Sequence, residues 1–362
     1  MKRNMIIIIV IIIAIPALYV GSLLILATVT KYKPAPMEEV KVVAGEHTPH
    51  PMDGSPNLDP PLDDTSFTFM TWNIGYCGEG AETDFFYDSG KGVIAPETWV
   101  KKYTAGVYQT IKENGDADFI FIQEADRKGK RSWNTDEVAG IASQLPDRYY
   151  AFAVNYDVKH LPFPWTEPLG RIYGGLMTLS KHTPIECTRI SLPNITDWPR
   201  KIFYLERCLI LQRHQLANGK DLVVINTHFE AYDDGGVKKA EMAVTKKLME
   251  AEYAKGNYVV LGGDWNIAPP DFNIHKWEKV KLLDRLYTLN NDPDYIPGWK
   301  YVYDGNTPSN RKNDHPFDET TYTTVIDYFF ISPNIEVEEI KGINAGFKNS
   351  DHNPVRMKIR LK

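Results

Sequence analysis

The sequence predicts an α/β domain of β-sheets packed on each other with helices outside, preceded by one transmembrane helix. Three observations carry that expectation. From Met5 to Val29 the chain runs without a charge. After Ser66, short β-branched and aromatic runs alternate with turn residues and a few helical stretches, the signature of mixed α and β structure. Two of those runs, Phe119–Ile122 and Val259–Leu261, are apolar on both faces, as strands covered on both sides are.

At about 1.5 Å per residue, a helix over Met5–Val29 is long enough for a hydrocarbon core of about 30 Å. A cleavable signal peptide has an apolar region of roughly 7–15 residues. Here the Met5–Ile15 stretch is followed by a second one beyond Pro16, so residues 1–30 read as a retained anchor. Lys2 and Arg3 precede it and Lys31 and Lys33 follow, so basic residues alone barely orient the span. The ease with which long domains translocate puts the amino terminus in the cytoplasm and the domain outside. Residues 31–65 carry Pro34, Pro36, Pro49, Pro51, Pro56, Pro60 and Pro61 among charged and small polar residues, a composition expected to give an extended tether. Residues 66–362 form the folded domain.

Within it, strands are expected at Phe67–Trp72, Phe119–Gln123, Leu176–Leu179, Cys208–Gln212, Leu222–Thr227, Tyr258–Gly262, Ile326–Ser332 and Val355–Leu361. Helices are expected at Glu97–Asn114, Thr135–Gln144 and Gly236–Lys255, the last with Ala240, Ala243, Val244 and Leu248 on one stripe. The net charge of -6 and pI near 5.9 come without a basic tract, so no electrostatic grip on nucleic acid is advertised. A bound metal can supply the missing positive charge. The three cysteines, Cys77, Cys187 and Cys208, are too few and too widely spaced for a disulfide framework or a cysteine zinc site, and read as small buried hydrophobes.

Several apolar strands end in carboxylates, amides and imidazoles. Thr71-Trp-Asn73-Ile-Gly places an amide that can ligate a hard cation or orient a neighbouring carboxylate. Phe119-Ile-Phe-Ile-Gln-Glu124-Ala-Asp126 delivers a carboxylate from a buried strand, which is costly unless it is paired, solvated or metal-bound, with Asp126 as the second candidate ligand. In Asn226-Thr-His228, period-two alternation sets the amide and the imidazole on one side, and His228 can donate to a phosphoryl oxygen. Gly262-Gly-Asp264-Trp-Asn266 pairs a carboxylate able to accept a proton from water with an amide able to donate to a charged phosphorus centre. Asp327, inside an apolar strand, wants an imidazole partner; His352, beside Asp351 and before the last strand, can supply it.

Taken in order, Thr71-Trp-Asn-Ile, Ile122-Gln-Glu, Asn226-Thr-His, Gly263-Asp-Trp-Asn, Ile326-Asp-Tyr and Ser350-Asp-His-Asn-Pro-Val make the chain resemble the endonuclease/exonuclease/phosphatase superfamily from Phe67 to its end. The resemblance implies a four-layered α/β sandwich of two mixed sheets flanked by helices. It also implies hydrolysis of a phosphodiester or phosphomonoester by in-line attack of water, with Mg²⁺ or Mn²⁺ as cofactor. Carried over to this sequence, Glu124 with Asn73 resembles the main metal site, which Asp351 completes. Asp264 resembles the water-orienting or basic residue, Asn266 the phosphate contact, His228 the ligand of the phosphate or its leaving group, and His352 with Asp327 the acid/base pair. Trp265 stands where the family often has phenylalanine. The segment Gly170-Arg-Ile-Tyr173 matches more loosely, and Tyr173 or Arg171 is either a phosphate contact or ordinary packing.

The expected substrate is a phosphate ester, lipid or nucleic acid, met at the membrane through the amino-terminal helix. The first reading is an anchored phosphoesterase acting on a phospholipid; the alternatives are a surface-anchored endonuclease and a non-catalytic binding module on the same fold. Trp165, Trp198 and the aromatics between Asn266 and Asp327 (Trp277, Tyr287, Tyr295, Trp299, Tyr301) either face substrate or pack as loops. No protein partner is inferred.

Overall fold

Two strand–helix–strand units lie at the centre of the computed structural model, which describes residues 2–49, 60–194, 196–232, 236–277 and 292–362. Strand β3 (Ser66–Asn73) passes through helix α2 (Glu97–Glu113) to the parallel strand β4 (Phe119–Asp126). Strand β9 (Asp221–His228) passes through α4 (Gly236–Ala254) to the parallel strand β10 (Tyr258–Asp264). Each parallel pair is extended on both sides by antiparallel strands.

Around β9 and β10 stand β1 (Met37–Glu39), β7 (Glu186–Ser191), β8 (Cys208–Gln215), β14 (Asp327–Ile331) and β11 (Lys300–Val302), in the order β1-β7-β8-β9-β10-β14-β11. Around β3 and β4 stand β2 (Val42–Ala44), β5 (Tyr149–Leu161), β6 (Gly170–Ser180), β15 (Ile335–Gly342) and β16 (Val355–Leu361), in the order β15-β16-β3-β4-β6-β5-β2. A short hairpin of β12 (Asn310–Arg311) and β13 (Thr323–Thr324) lies apart from both.

The inner faces meet in a core that includes Phe69, Phe121, Val224, Val260, Phe329 and Met357. The outer face of the β3–β4 sheet is covered by α2 and α3 (Glu137–Gln144), through Val107, Ile111, Val138 and Ile141. That of the β9–β10 sheet is covered by α4, through Met242 and Met249. The four layers are therefore helix, sheet, sheet and helix, as expected, and the two doubly apolar runs occupy central strands.

One polar contact ties the layers directly beneath the strand ends. Asn226, fully buried on β9, crosses to the other sheet, donating from Nδ2 to Ile122 O (3.2 Å) and Met177 O (3.0 Å) and accepting from Gln123 Nε2 (2.7 Å). Asn226→Leu leaves those groups buried without partners, at a cost on the order of 3 kcal/mol. A clear fall in apparent Tm of the full chain in detergent is expected, and an unchanged Tm would show the contact to be expendable.

The sequence expectation leaves out the short strands β1, β2, β11, β12 and β13, and four longer elements depart from it. Strands β5, β7 and β15 are not among the expected strands; β15 is an edge strand whose Ile-Glu-Val-Glu-Glu-Ile pattern is half solvated and broken by a bulge between Val337 and Glu339. The buried face of α4 is Lys238, Glu241, Met242, Thr245, Met249 and Glu252, whereas Ala243 is exposed. Polar residues take that face because Glu241 accepts from Glu230 N (2.8 Å) and Glu252 pairs with Arg213 (2.7 Å).

The segment read as a tether is also partly incorporated. β1 pairs with β7 and β2 with β5, because Val42 and its neighbours supply enough apolar surface for an edge strand. The three cysteines are free and buried. Ahead of them, α1 (Lys2–Thr30), containing Pro16, is long and apolar enough to cross a membrane.

Candidate active site

The carboxyl ends of the two parallel pairs point to one edge of the sandwich, and the polar clusters collect there. Asn73 ends β3, Glu124 lies near the end of β4, His228 ends β9, and Asp264 ends β10 opposite both His228 and Asp327 in the ladders. The loop before β16 brings Asp351 and His352, fixed by Ser350, whose hydroxyl donates to Asn73 O (2.8 Å) and accepts from His352 N (3.1 Å). Trp72 Nε1 donates to His352 O (2.9 Å), locking the same loop to the β3 strand.

At the centre is the buried Asp264 carboxylate. Oδ1 accepts from Asn266 N (2.8 Å) and Oδ2 from Asn73 Nδ2 (3.0 Å), while His228 Nε2 and His352 Nε2 lie 3.5 and 3.8 Å from Oδ2. Burial alone would raise this carboxyl; the charge of His352, with the His228 ring and the Asn73 amide turned toward it, holds it below the usual range. His352 Nδ1 meets Asp327 Oδ2 at 2.8 Å, and both residues are buried. Burial would lower the imidazole, but the carboxylates of Asp327, Asp351 and Asp264 carry it well above the ordinary histidine range.

Asp327 is itself pushed up to about 6, by burial and by the charge of Asp264, against the pull of His352. The pair therefore holds its shared proton at neutral pH. Asn310 lies 3.1 Å from His352 Nε2, and its Oδ1 has no partner among the described residues. Turning that amide over gives the Nε2–H an acceptor, which suits a protonated ring.

His228 is the opposite case. Burial, with the Arg207 charge beside it, brings its imidazole down to about 3, so it is neutral. Arg207 is paired with Glu230 at 3.2 Å. Burial would raise Glu230, but Arg207 and the Tyr204 hydroxyl hold it at about 2. Because this folded value lies below the unfolded value of about 4.3, the pair's stabilisation is complete above pH 4.3 and fades as pH falls toward 2. The advantage in Tm of the parent over Glu230→Gln should accordingly shrink between pH 5 and pH 3; a constant advantage would refute the linkage.

Glu124 enters the site through a fault in the ladder. The register of β4 against β6 shifts between Ile122 and Ala125, and Glu124 has a left-handed φ of 54°. Such bulges re-aim a side chain. The one at Glu124 turns its carboxylate to Asn73 Nδ2 (3.0 Å). Asp126 is consequently not a second ligand: it is buried against Arg131 (2.9 Å) and Ser132 (3.0 Å).

Asn73 turns its amide nitrogen, not its oxygen, toward the acids. Its nitrogen bridges Glu124 and Asp264, and its Oδ1 accepts from Gly75 N (3.0 Å). Asn266 lines the cavity with Nδ2 on Phe229 O (2.9 Å) and, more loosely, on Asp264 Oδ2 (3.3 Å).

Tyr173 does not join the site. Ile172 and Gly175 of the same strand line the cavity, and Tyr173 faces away, edge-on to Phe152 with the Arg171 guanidinium over its ring. Arg171 is paired with Asp157. Trp277, Tyr295, Trp299 and Tyr301 pack on the outer face of the β9–β10 sheet, and Tyr287 lies outside the described residues. Trp265 stacks on Tyr328 at 4.7 Å, in the core. Of the aromatics singled out, Trp165 lines the cavity.

Sequence reasoning missed Glu79, Asn310, Arg131 and Tyr232, all of which line the cavity. Glu79 follows the Asn73-Ile-Gly-Tyr turn by a few residues and could have been found by its place there; Asn310 carries no local signal.

The carboxylates fit a hard divalent cation. Gly75 has a φ of 50°, and a side chain built on it would come within 3.1 Å of both Asp351 Oδ1 and Glu79 Cβ, so the bare glycine keeps open the space these acids border. Burial and the charges of Asp351 and Glu124 push Glu79 well above the usual carboxyl range, and burial raises Glu124, as expected of acids short of positive charge. Among the described residues, Asp264, Asp327 and His352 are the group whose donor atoms lie within 4.8 Å of one another. His352 Nδ1 is committed to Asp327, while Glu124, Asp351 and Glu79 offer oxygen donors of the kind a hard divalent cation takes.

The endonuclease/exonuclease/phosphatase family model matches residues 70–352. Among solved structures, an endonuclease/exonuclease/phosphatase from Beutenbergia cavernae superposes with a TM-score of 0.56 at 20% identity, over 82% of this chain and 72% of that one. ANGEL2, a 2′,3′-cyclic phosphatase solved with adenosine-2′,3′-vanadate, gives 0.53 at 14% identity over 83% and 97%. D. rerio TDP2 with a single-strand DNA product gives 0.51 at 12% over 82% and 100%. No protein with a curated description matches the sequence. The strand-end groups Asn73, Glu124, His228, Asp264, Asp327 and His352 all fall inside the matched span, and the chain belongs to the endonuclease/exonuclease/phosphatase family of phosphoric ester hydrolases.

Proposed function

We propose that this chain is a membrane-anchored, divalent-metal-dependent phosphoesterase, its domain outside the cytoplasm, acting on a phosphodiester or phosphomonoester of a phospholipid. The observation that carries the reading is the ionised Asp264 carboxylate set between a neutral His228 and the protonated His352–Asp327 pair.

In this reading Asp264 accepts a hydrogen bond from the attacking water and takes its proton as the water oxygen bonds to phosphorus. His228 donates from Nε2 to a phosphoryl oxygen, and Asn266 Nδ2 turns from its looser bond with Asp264 to do the same. As the ester P–O bond breaks, His352 gives its Nε2 proton to the leaving oxygen, with Asp327 steadying the imidazolium it loses. Glu124, Asp351 and Glu79 would hold the cation, with Asn73 orienting Glu124; a bound cation supplies charge neutralisation at the phosphate.

The test is hydrolysis by the full chain in detergent of sphingomyelin, phosphoinositides, single-stranded and duplex DNA and a chromogenic phosphodiester. Activity should vanish with chelator and return with Mg²⁺ or Mn²⁺. Full activity of metal-free protein would refute the metal role, and cleavage of DNA alone would replace the lipid reading with that of a surface endonuclease.

A further inference from the structure

The catalytic cavity, about 590 Å³, does not end at the polar groups. It continues into an apolar vestibule whose far wall is α1, through Val20, Leu23 and Leu24, and whose near wall includes Phe163, Trp165 and Phe203. Phe163 and Trp165 are 41% and 63% exposed, an unusual state for large aromatics at the mouth of a site that meets water.

The position of α1 against that mouth is fixed by the chain that leaves it. Lys31 Nζ pairs with Glu206 Oε1 at 2.6 Å with both side chains largely covered, and Ser191 Oγ donates to Ala35 O at 2.9 Å. Met37 then enters the edge of a sheet opposite Ile190. The link from helix to domain has no slack.

Depth along the helix says what the vestibule meets. With 29 residues, α1 is about 43 Å long against a hydrocarbon core of about 30 Å. Leu24 and Val20 lie about 9 and 15 Å along the axis from Thr30, within the hydrocarbon half-thickness of the leaflet nearest the domain. On other flanks of the same turns Ile25 and Val29 are exposed, at 67% and 79%, and belong in lipid.

We infer that α1 is a wall of the substrate site as well as an anchor: the vestibule between α1 and Phe163, Trp165 and Phe203 takes the acyl chain of a membrane lipid while its headgroup phosphate reaches Asp264 and His352. The inference rests on the phosphoesterase reading and adds a route. The lipid moves sideways from the leaflet into the site, with its tail on α1, and its phosphate need not leave the interface.

The experiment reconstitutes the full chain into vesicles of phosphatidylcholine, phosphatidylglycerol and sphingomyelin with Mg²⁺, and measures lipid hydrolysis beside hydrolysis of bis(p-nitrophenyl) phosphate, a diester without acyl chains. Val20→Trp with Leu24→Trp fills the vestibule while keeping α1 apolar. It should lower the ratio of lipid to chromogenic turnover by about tenfold or more, the scale on which apolar pockets discriminate. Ile25→Trp with Val29→Trp, on the lipid-facing flanks, should leave the ratio unchanged. A ratio equally preserved, or equally lost, in both double variants overturns the inference. Hydrolysis of the chromogenic diester without any lipid hydrolysis by the parent protein overturns the inference and leaves the phosphoesterase reading standing. Hydrolysis of neither substrate removes both.

Discussion

His352→Ala is expected to lower turnover of a chromogenic phosphodiester by roughly 100-fold to 10,000-fold, the range for loss of a positioned general acid. The size follows from how fully the site is built around this ring. Nδ1 is held by Asp327 at 2.8 Å, Nε2 by Asn310 at 3.1 Å, the main chain by Trp72 and Ser350, and Asp264 lies 3.8 Å away. Truncation removes a proton donor and the charge that does most to keep Asp264 ionised. Asp327→Asn keeps the ring but removes the charge that holds its proton, so it should cost less at low pH than at high pH. Kinetics of both variants across pH 5 to 9, with Tm to establish folding, check this. A folded His352→Ala protein with near-normal turnover would mean that another group protonates the leaving oxygen.

The second large effect is expected at Glu124. Glu124→Gln keeps the size and a hydrogen bond to Asn73 but removes the negative charge that the bulge aims into the site. Metal-dependent turnover should fall by about 100-fold or more, as for loss of a charge-stabilising element. Mn²⁺ affinity, read by titration calorimetry on the protein without substrate, should fall with it. Unaltered Mn²⁺ binding would move the cation to another set of donors.

Removing this charge has a further consequence. The Glu124 and Glu79 carboxyls sit above their unfolded values, so each binds more protons folded than unfolded, and their ionisation destabilises the metal-free fold as pH rises past about 4.3. Glu124→Gln should thus raise the Tm of metal-free protein at pH 7 while shrinking the gain that Mn²⁺ gives.

The sequence by itself determined the apolar helix, the two central strands and the polar groups at the strand ends. These are local properties: an uncharged run reports membrane compatibility, and a doubly apolar strand reports burial on both faces wherever it lies. Thus Asn73, Glu124, His228, Asp264, Asp327 and His352 were legible one by one. The tertiary structure decided which way each of them points and what faces it. Alternation along β4 made Asp126 a second candidate ligand behind Glu124; a bulge formed against β6 broke the alternation and sent Asp126 to Arg131. Asn310 approaches His352 from the β12–β13 hairpin, and α1 meets the cavity because Lys31 and Met37 are held by the domain, contacts between residues far apart in the chain. Periodicity records the faces of one element; the joining of separate elements depends on packing between layers, which a local pattern does not contain.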